Sequence, residues 1–267
     1  MKSGYIDVPG GQIHYRETGF GEPVLLLHPN AASSEAFSKI MPLLAGRCHA
    51  VAPDFPGYGG SPSPAEPYRD IAEYALSAFQ VLDALGIERA SILGDHTGAT
   101  VAVEMAASNP SRVDKLMLFG CPYWKDEAAR LKAQESAIFT AVDLRGDGSH
   151  IASVWAHYER QLPGAAPEEV QRAVVDALLS QLSPGRGQEA HYALLRHDTQ
   201  ARLPMVRSPT LVLTAPNDGF YRWVSEVKER LPRAKVQVIP DTSGHASRLR
   251  PREYADALLA FLKNSGL

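Results

Sequence analysis

The stretch Ser91-Ile92-Leu93-Gly94-Asp95-His96-Thr97-Gly98-Ala99 decides the fold. Its apolar beginning reads as the end of a buried strand, and the small residues over 99–107 read as a helix. Between them lies a small-x-X-x-small turn. A side chain carried on so sharp a strand-to-helix turn needs glycine on both flanks, because the two backbones approach closely there. The central residue is thrust out beyond the sheet, and the helix N-terminus behind it favours negative charge. Gly94 and Gly98 make His96 the centre. Moving the apex to Asp95 would supply a carboxylate nucleophile, but it puts Leu93 and Thr97 at the flanks. Moving it to Thr97 puts Asp95 and Ala99 there.

On the N-terminal side, residues 4–17 alternate apolar and polar across Gly10-Gly11, the pattern of a β-hairpin. Val24-Leu25-Leu26-Leu27 is a continuous apolar run, as in a strand buried on both faces. Helical spacing over 33–44 leads to a strand at 48–53, a helix at 71–85 and the strand at 90–93; a further strand follows at 115–119. Strand–helix alternation of this kind predicts an α/β fold, with a mostly parallel central sheet and helices on both faces.

Over 126–202 the alternation stops, and every periodic segment is helical: 126–144, 150–162, 168–182 and 188–196. It resumes with strands at 210–213 and 236–239 and closes on an amphipathic helix at 251–262. The division expected is a core of residues 1–123 and 203–267, with 124–202 inserted as a helical cap over the carboxyl edge of the sheet, where ligands of such sheets bind.

The chain has 267 residues and a net charge of −3 from 27 basic and 30 acidic residues, with no basic run, which argues against nucleic acid as a partner. Two cysteines, Cys48 and Cys121, cannot build a disulfide framework or metal spacing and suit a reducing compartment. No stretch approaches the roughly 18 apolar residues of a membrane span, and the first ten residues lack the apolar core of a signal peptide. The expectation is a cytoplasmic protein, monomeric or a small homo-oligomer, acting on a small molecule without membrane, metal or cofactor. His28, Asp95, His96 and His245 lie on separate loops without a close ligand pair, so a zinc site is not expected.

These features resemble the α/β-hydrolase family, and the resemblance runs through nearly the whole chain. His28-Pro29-Asn30 follows the first buried strand, where the family has its oxyanion-hole loop. Asp54-Phe55-Pro56-Gly57-Tyr58-Gly59-Gly60-Ser61 matches its Asp-x-x-Gly-x-Gly-x-Ser turn. Asn217-Asp218-Gly219 stands where the family puts its acid, and Ser243-Gly244-His245 where it puts its histidine. Elbow, acid and histidine fall in the expected chain order. The departure is His96, which replaces the usual serine at the elbow, so a Ser-His-Asp mechanism does not carry across.

The resemblance implies that Asp218 orients His245. It also implies an oxyanion hole formed by the backbone N–H groups of Asn30 and Thr97. His96 could attack a carbonyl to give an acyl-imidazole. Alternatively, His96 and His245 could share acid and base duties without a covalent intermediate. The reaction expected is hydrolysis of a small ester, lactone, thioester or activated C–C bond. Lyase or proton-transfer chemistry and non-catalytic ligand binding are the alternatives. Asp95 either tunes the His96 ring or caps the following helix, with capping favoured. Asp54 reads as a turn residue. His28, Asp95, Trp124, Trp155 and His157 are candidates for lining the substrate pocket.

Overall fold

The computed structural model describes residues 1–135, 144–180 and 189–263. Parts of the helices expected over 126–144, 168–182 and 188–196 fall outside these residues. The chain opens with an antiparallel hairpin, β1 (Lys2–Val8) and β2 (Gly11–Thr18). Next come β3 (Glu22–Leu27), a 3-10 turn (Ser34–Phe37), α1 (Met41–Leu44), β4 (Cys48–Pro53) and α2 (Ile71–Ala84). Then follow β5 (Ala90–Asp95), α3 (Thr97–Ser108) and β6 (Val113–Phe119). Among the described residues, five α-helices lie between β6 and the next strand: α4 (Glu127–Glu135), α5 (Ser149–Gln161), α6 (Pro167–Leu179), α7 (Glu189–Arg196) and α8 (Thr199–Arg202). The chain then runs through β7 (Thr210–Thr214), α9 (Val224–Arg230), β8 (Lys235–Val238), α10 (Ala246–Leu249) and α11 (Pro251–Lys263).

The eight strands form one sheet in the order β1-β2-β4-β3-β5-β6-β7-β8, antiparallel at the β1–β2 and β2–β4 pairs and parallel elsewhere. Alternate residues of β3 serve opposite faces. Leu25 and Leu27 pack with α2 and α3, and Val24 and Leu26 with α1 and α11. This is why the run 24–27 is apolar throughout. Because β3 lies between β4 and β5, the winding direction reverses there, and Leu27 pairs with Gly94 beside the reversal. The loops leaving β3 and β5 therefore open side by side, which is where ligands of parallel sheets bind.

The helix expected over 33–44 is broken in two. Ser33 caps the 3-10 turn by accepting the Glu35 N–H, and Pro42 sits in the first turn of α1. Proline lacks an N–H and suits a helix start, so the chain begins a new helix there rather than extending the first. Within the insertion, α5 and α6 share their own apolar cluster around Val154, Tyr158, Leu162, Val170 and Val174. Ala190, Ala193, Leu194 and Leu195 of α7 instead join the core beside the sheet. Among the described residues, no helix is long and apolar enough to cross a membrane.

Close approach explains the elbow glycines. A Cβ on Gly98 would lie 2.0 Å from the Leu27 carbonyl oxygen, and one on Gly94 would lie 2.2 Å from the Gly98 carbonyl oxygen. We expect Gly98→Ala to force β3 and α3 apart and lower stability by about 3 kcal/mol or more, the upper end for overpacking a tight site. Urea unfolding measures this, and a loss below about 0.5 kcal/mol, the scale of an ordinary surface substitution, would show that the elbow relaxes freely.

Candidate active site

His96 sits at the turn between β5 and α3 with φ 51° and ψ −109°. This conformation is unfavourable for a residue with a Cβ and persists only where the surroundings impose it. The His96 N–H is tied to the Phe119 carbonyl at 2.9 Å, and its own carbonyl accepts the Ala99 N–H at 2.8 Å. The imidazole is held at both ends. Nδ1 lies 2.5 Å from Asp95 Oδ1, and Nε2 lies 2.7 Å from Asp218 Oδ2. Each ring nitrogen is thus engaged by a carboxyl oxygen, and where both carboxyls are ionised both nitrogens donate and the ring is an imidazolium.

The surrounding charges agree with this state. Burial works against a charge on His96, but the charge of Asp218, its hydrogen bond and that of Asp95 outweigh it and push the ring up to about 10. Burial opposes ionisation of Asp218 as well, and His96 overcomes that to hold the carboxyl below its usual range. Burial pushes Asp95 up, an effect only partly offset by its bond to His96. Asp95 bonds to the ring and does not cap α3, contrary to the reading favoured from the sequence: the N-cap residue is His96, and no side-chain cap bond forms there.

Backbone makes room for this ring. A Cβ on Gly120 would lie 2.7 Å from His96 Nε2, and one on Gly244 would lie 2.8 Å from Asp218 Oδ2. Phe119 and Phe220 flank the imidazole, each with its ring centre 5.7 Å away. Sequence reasoning missed Gly120 and Phe220, whose relevance comes only from packing against a ring carried by another strand.

The expected bond from Asp218 to His245 is absent. Asp218 accepts from Phe220 N–H through Oδ1 and from His96 through Oδ2. A histidine at the elbow is long enough to reach the acid by itself, whereas serine would need a second imidazole between. His245 instead faces Tyr158 of α5, with ring centres 6.2 Å apart, and His157 lies edge-on to Tyr158. Burial first, then the charges of His96 and Arg248, push His245 down to about 3, so it is neutral with a free lone pair. Burial also lowers His157.

The remaining sequence candidates fall into two groups. His28 does not line a pocket. It is fully buried, its Nδ1–H donates to the Pro29 carbonyl at 2.8 Å, and its Nε2 accepts the Phe55 N–H at 2.9 Å. Both nitrogens are spent on bracing the loop after β3. That loop carries Asn30, whose Oδ1 accepts the Tyr58 hydroxyl, and Ala31, held at φ 56°. Asp54 accepts from Ser34 N–H, Gly60 N–H and His14 Nδ1–H, as its turn role predicts. Thr97 opens α3, and its N–H lies in the first helical turn, beyond reach of any helical carbonyl. Trp124 packs edge-on against Phe220, one ring removed from His96, while Trp155 packs on the α5–α6 cluster.

One further residue escaped the sequence reading. Asp176 of α6 accepts the Ser33 N–H at 3.0 Å and lies 3.6 Å from Arg248 Nη2. One buried carboxylate thus joins the insertion to the loop after β3 and to the segment carrying His245. No local motif marks it, since it lies within an ordinary amphipathic helix. Among the described residues, no group of three His, Cys, Asp or Glu side chains could hold a metal ion.

The imidazolium has a measurable signature. Its pKa lies above the unfolded value of about 6.5, so its stabilising contribution is complete below that pH and is lost as pH rises through about 10. We expect the His96 ring proton resonances in NMR to show no titration between pH 5 and 8. A midpoint near 6.5 would mean that the two carboxylates do not hold the ring charged.

Comparison with known proteins agrees with the fold. The sequence profile of the alpha/beta hydrolase fold family matches residues 22–247. The chain is 26% identical over 217 residues to haloalkane dehalogenase 2 of Mycobacterium tuberculosis, covering 80% of this chain and 69% of that protein. It is 32% identical over 114 residues to the 2-hydroxymuconate semialdehyde hydrolase of a Pseudomonas species, covering 42% of this chain and 40% of that one. The enol-lactonase of Burkholderia xenovorans superposes with a TM-score of 0.74 at 20% identity, covering 98% of this chain and 100% of that one, a likeness of fold. The chain belongs to the alpha/beta hydrolase fold family.

Proposed function

We propose that this protein is a cofactor-independent hydrolase of a small ester, lactone, thioester or activated C–C bond, in which water rather than His96 attacks the substrate. The observation that carries this reading is the double clamp on His96. With Nδ1 bonded to Asp95 and Nε2 to Asp218, the ring has no lone pair to offer a carbonyl. A displacement by carboxylate, as in a dehalogenase-type mechanism, is disfavoured for a related reason: Asp95 is buried and bonded to the ring instead of standing at the apex.

His245, neutral and with an available lone pair, takes the proton of the attacking water. Its low resting basicity reflects burial and the neighbouring imidazolium. As the carbonyl oxygen gains negative charge, it offsets the charges of His96 and Arg248 that depress His245, and proton transfer to His245 becomes easier. The N–H groups of Asn30 and Thr97 receive the oxyanion, and the His96 imidazolium supports it electrostatically. His245 then returns the proton to the leaving group. Residues 124–202 serve as a cap, with Trp124, Trp155 and His157 offered to the substrate and Tyr158 placing α5 beside His245. The members of the family named above that act on a lactone and a semialdehyde lend this substrate range its outline.

A panel of short-chain nitrophenyl esters and lactones tests the reading. We expect His245→Ala to lower kcat/KM by about 10²-fold or more, and His96→Ala by a comparable factor, the scale of losing a base or an electrostatic stabiliser. Circular dichroism of each variant checks that it folds. Rapid-quench mass spectrometry of the wild type should find no acylated His96 during turnover. An adduct on His96 would overturn water attack in favour of covalent catalysis, and full activity of His245→Ala would overturn the role of His245.

The pH profile gives an independent check. Activity should stay flat through the ordinary histidine range and fall as pH rises through about 10, where His96 loses its charge. An acid limb near pH 6.5 would mean that a histidine of ordinary pKa governs the rate.

A further inference from the structure

The strands β6, β7 and β8 begin at the end of the sheet opposite His96, at Val113, Thr210 and Lys235. A cavity of about 370 Å³ lies there, within the range of small-molecule sites. Five cationic side chains line it: Lys115, Arg207, Arg230, Arg233 and Lys235. No acidic side chain lines it among the described residues. The chain as a whole has more acidic than basic residues, 30 against 27, so this imbalance is local.

Two of the five have a structural use. The Lys115 ammonium donates to the Leu262 carbonyl at the end of α11, and Arg230 closes the last turn of α9, both complementing helix C-termini. Arg207, Arg233 and Lys235 lie outside any helix, so helix dipoles do not account for them. They are exposed, and among the described residues none of the three takes part in an ion pair. Convergent like charges repel one another, and a bound anion would remove that cost. The wall beneath them is apolar, with Leu231 and Phe261 both buried.

We propose that this cavity is a second ligand site, which takes a small organic phosphate with an apolar or aromatic body. The arginines offer paired N–H donors that match phosphate oxygens, and the Leu231–Phe261 wall receives the body. The site is separate from the elbow. Lys115 and Phe119 are four residues apart on β6, about 13 Å along an extended strand, and Phe119 is the one that touches His96. The proposal does not depend on the reaction assigned to that end.

Isothermal titration calorimetry with 1-naphthyl phosphate, inorganic phosphate and 1-naphthol tests it on the full chain at low salt. Naphthyl phosphate should bind more tightly than either fragment, and added salt should weaken it. Arg207→Glu/Arg233→Glu should lose at least about tenfold in affinity, equivalent to about 1.4 kcal/mol, with an unchanged unfolding midpoint. Arg207→Gln/Arg233→Gln should fall between the two. Equal binding by the charge-reversed variant would overturn the assignment, as would equal binding of naphthol or the absence of any heat. Tighter binding of a short RNA than of naphthyl phosphate would overturn it in favour of a nucleic-acid surface.

Discussion

The site depends on one buried arrangement, an imidazolium held between two carboxylates. Asp95 and Asp218 are buried carboxyl groups that meet on the partly buried imidazole of His96. Each charge alone would be costly there, and only mutual contact makes them tolerable. Removing one partner from a buried ionic group typically costs about 3–5 kcal/mol, because a charge is left uncompensated. The strained backbone at His96 belongs to the same arrangement. The turn aims the ring so that each nitrogen meets a carboxylate, and those bonds in turn help hold a φ that a residue with a Cβ otherwise avoids.

Much of the surrounding structure accommodates that ring. Gly120 and Gly244 leave space for it, and Phe119 and Phe220 close its sides. Serine at this apex would stop short of Asp218 and leave a place for a second histidine. The longer imidazole fills the gap and bonds to the acid directly. His245 is thereby released from Asp218 and meets the insertion through Tyr158. At the elbow, the contacts to Asp95 and Asp218 push the histidine toward its cationic form, while burial and that neighbouring charge push the histidine before the terminal helices toward its neutral form.

The loop after β3 is fixed by groups from distant parts of the chain. His28 braces it from within, Asp54 holds Ser34, Tyr58 holds Asn30, and Asp176 reaches Ser33 from α6. Because Asp176 also approaches Arg248, the insertion is connected to both loops that flank the elbow. Placement of the insertion and geometry of the loop are therefore linked through one buried carboxylate. Loss of that contact would be felt on both sides of the site.

The fold was legible in the sequence because its signals are local. Apolar runs such as 24–27, the strand–helix alternation and the Gly94–Gly98 spacing each reflect constraints that neighbouring residues impose on one another. The same logic located His96 at the apex, Asp54 in its turn and the helical insertion between β6 and β7. The break after Phe37 was missed, although Pro42 stood in the sequence, because amphipathic spacing continues across it. Partnership was another matter. Chain order alone paired Asp218 with His245, but side-chain length and packing gave Asp218 to His96. Spacing cannot tell whether a histidine braces a loop, as His28 does, or faces a ligand, and it gives no sign of Asp176 or Gly120. Local sequence determined the elements and their order. The tertiary structure decided which nitrogen meets which carboxylate, since hydrogen-bond partners and charge states depend on distances between segments far apart in the chain.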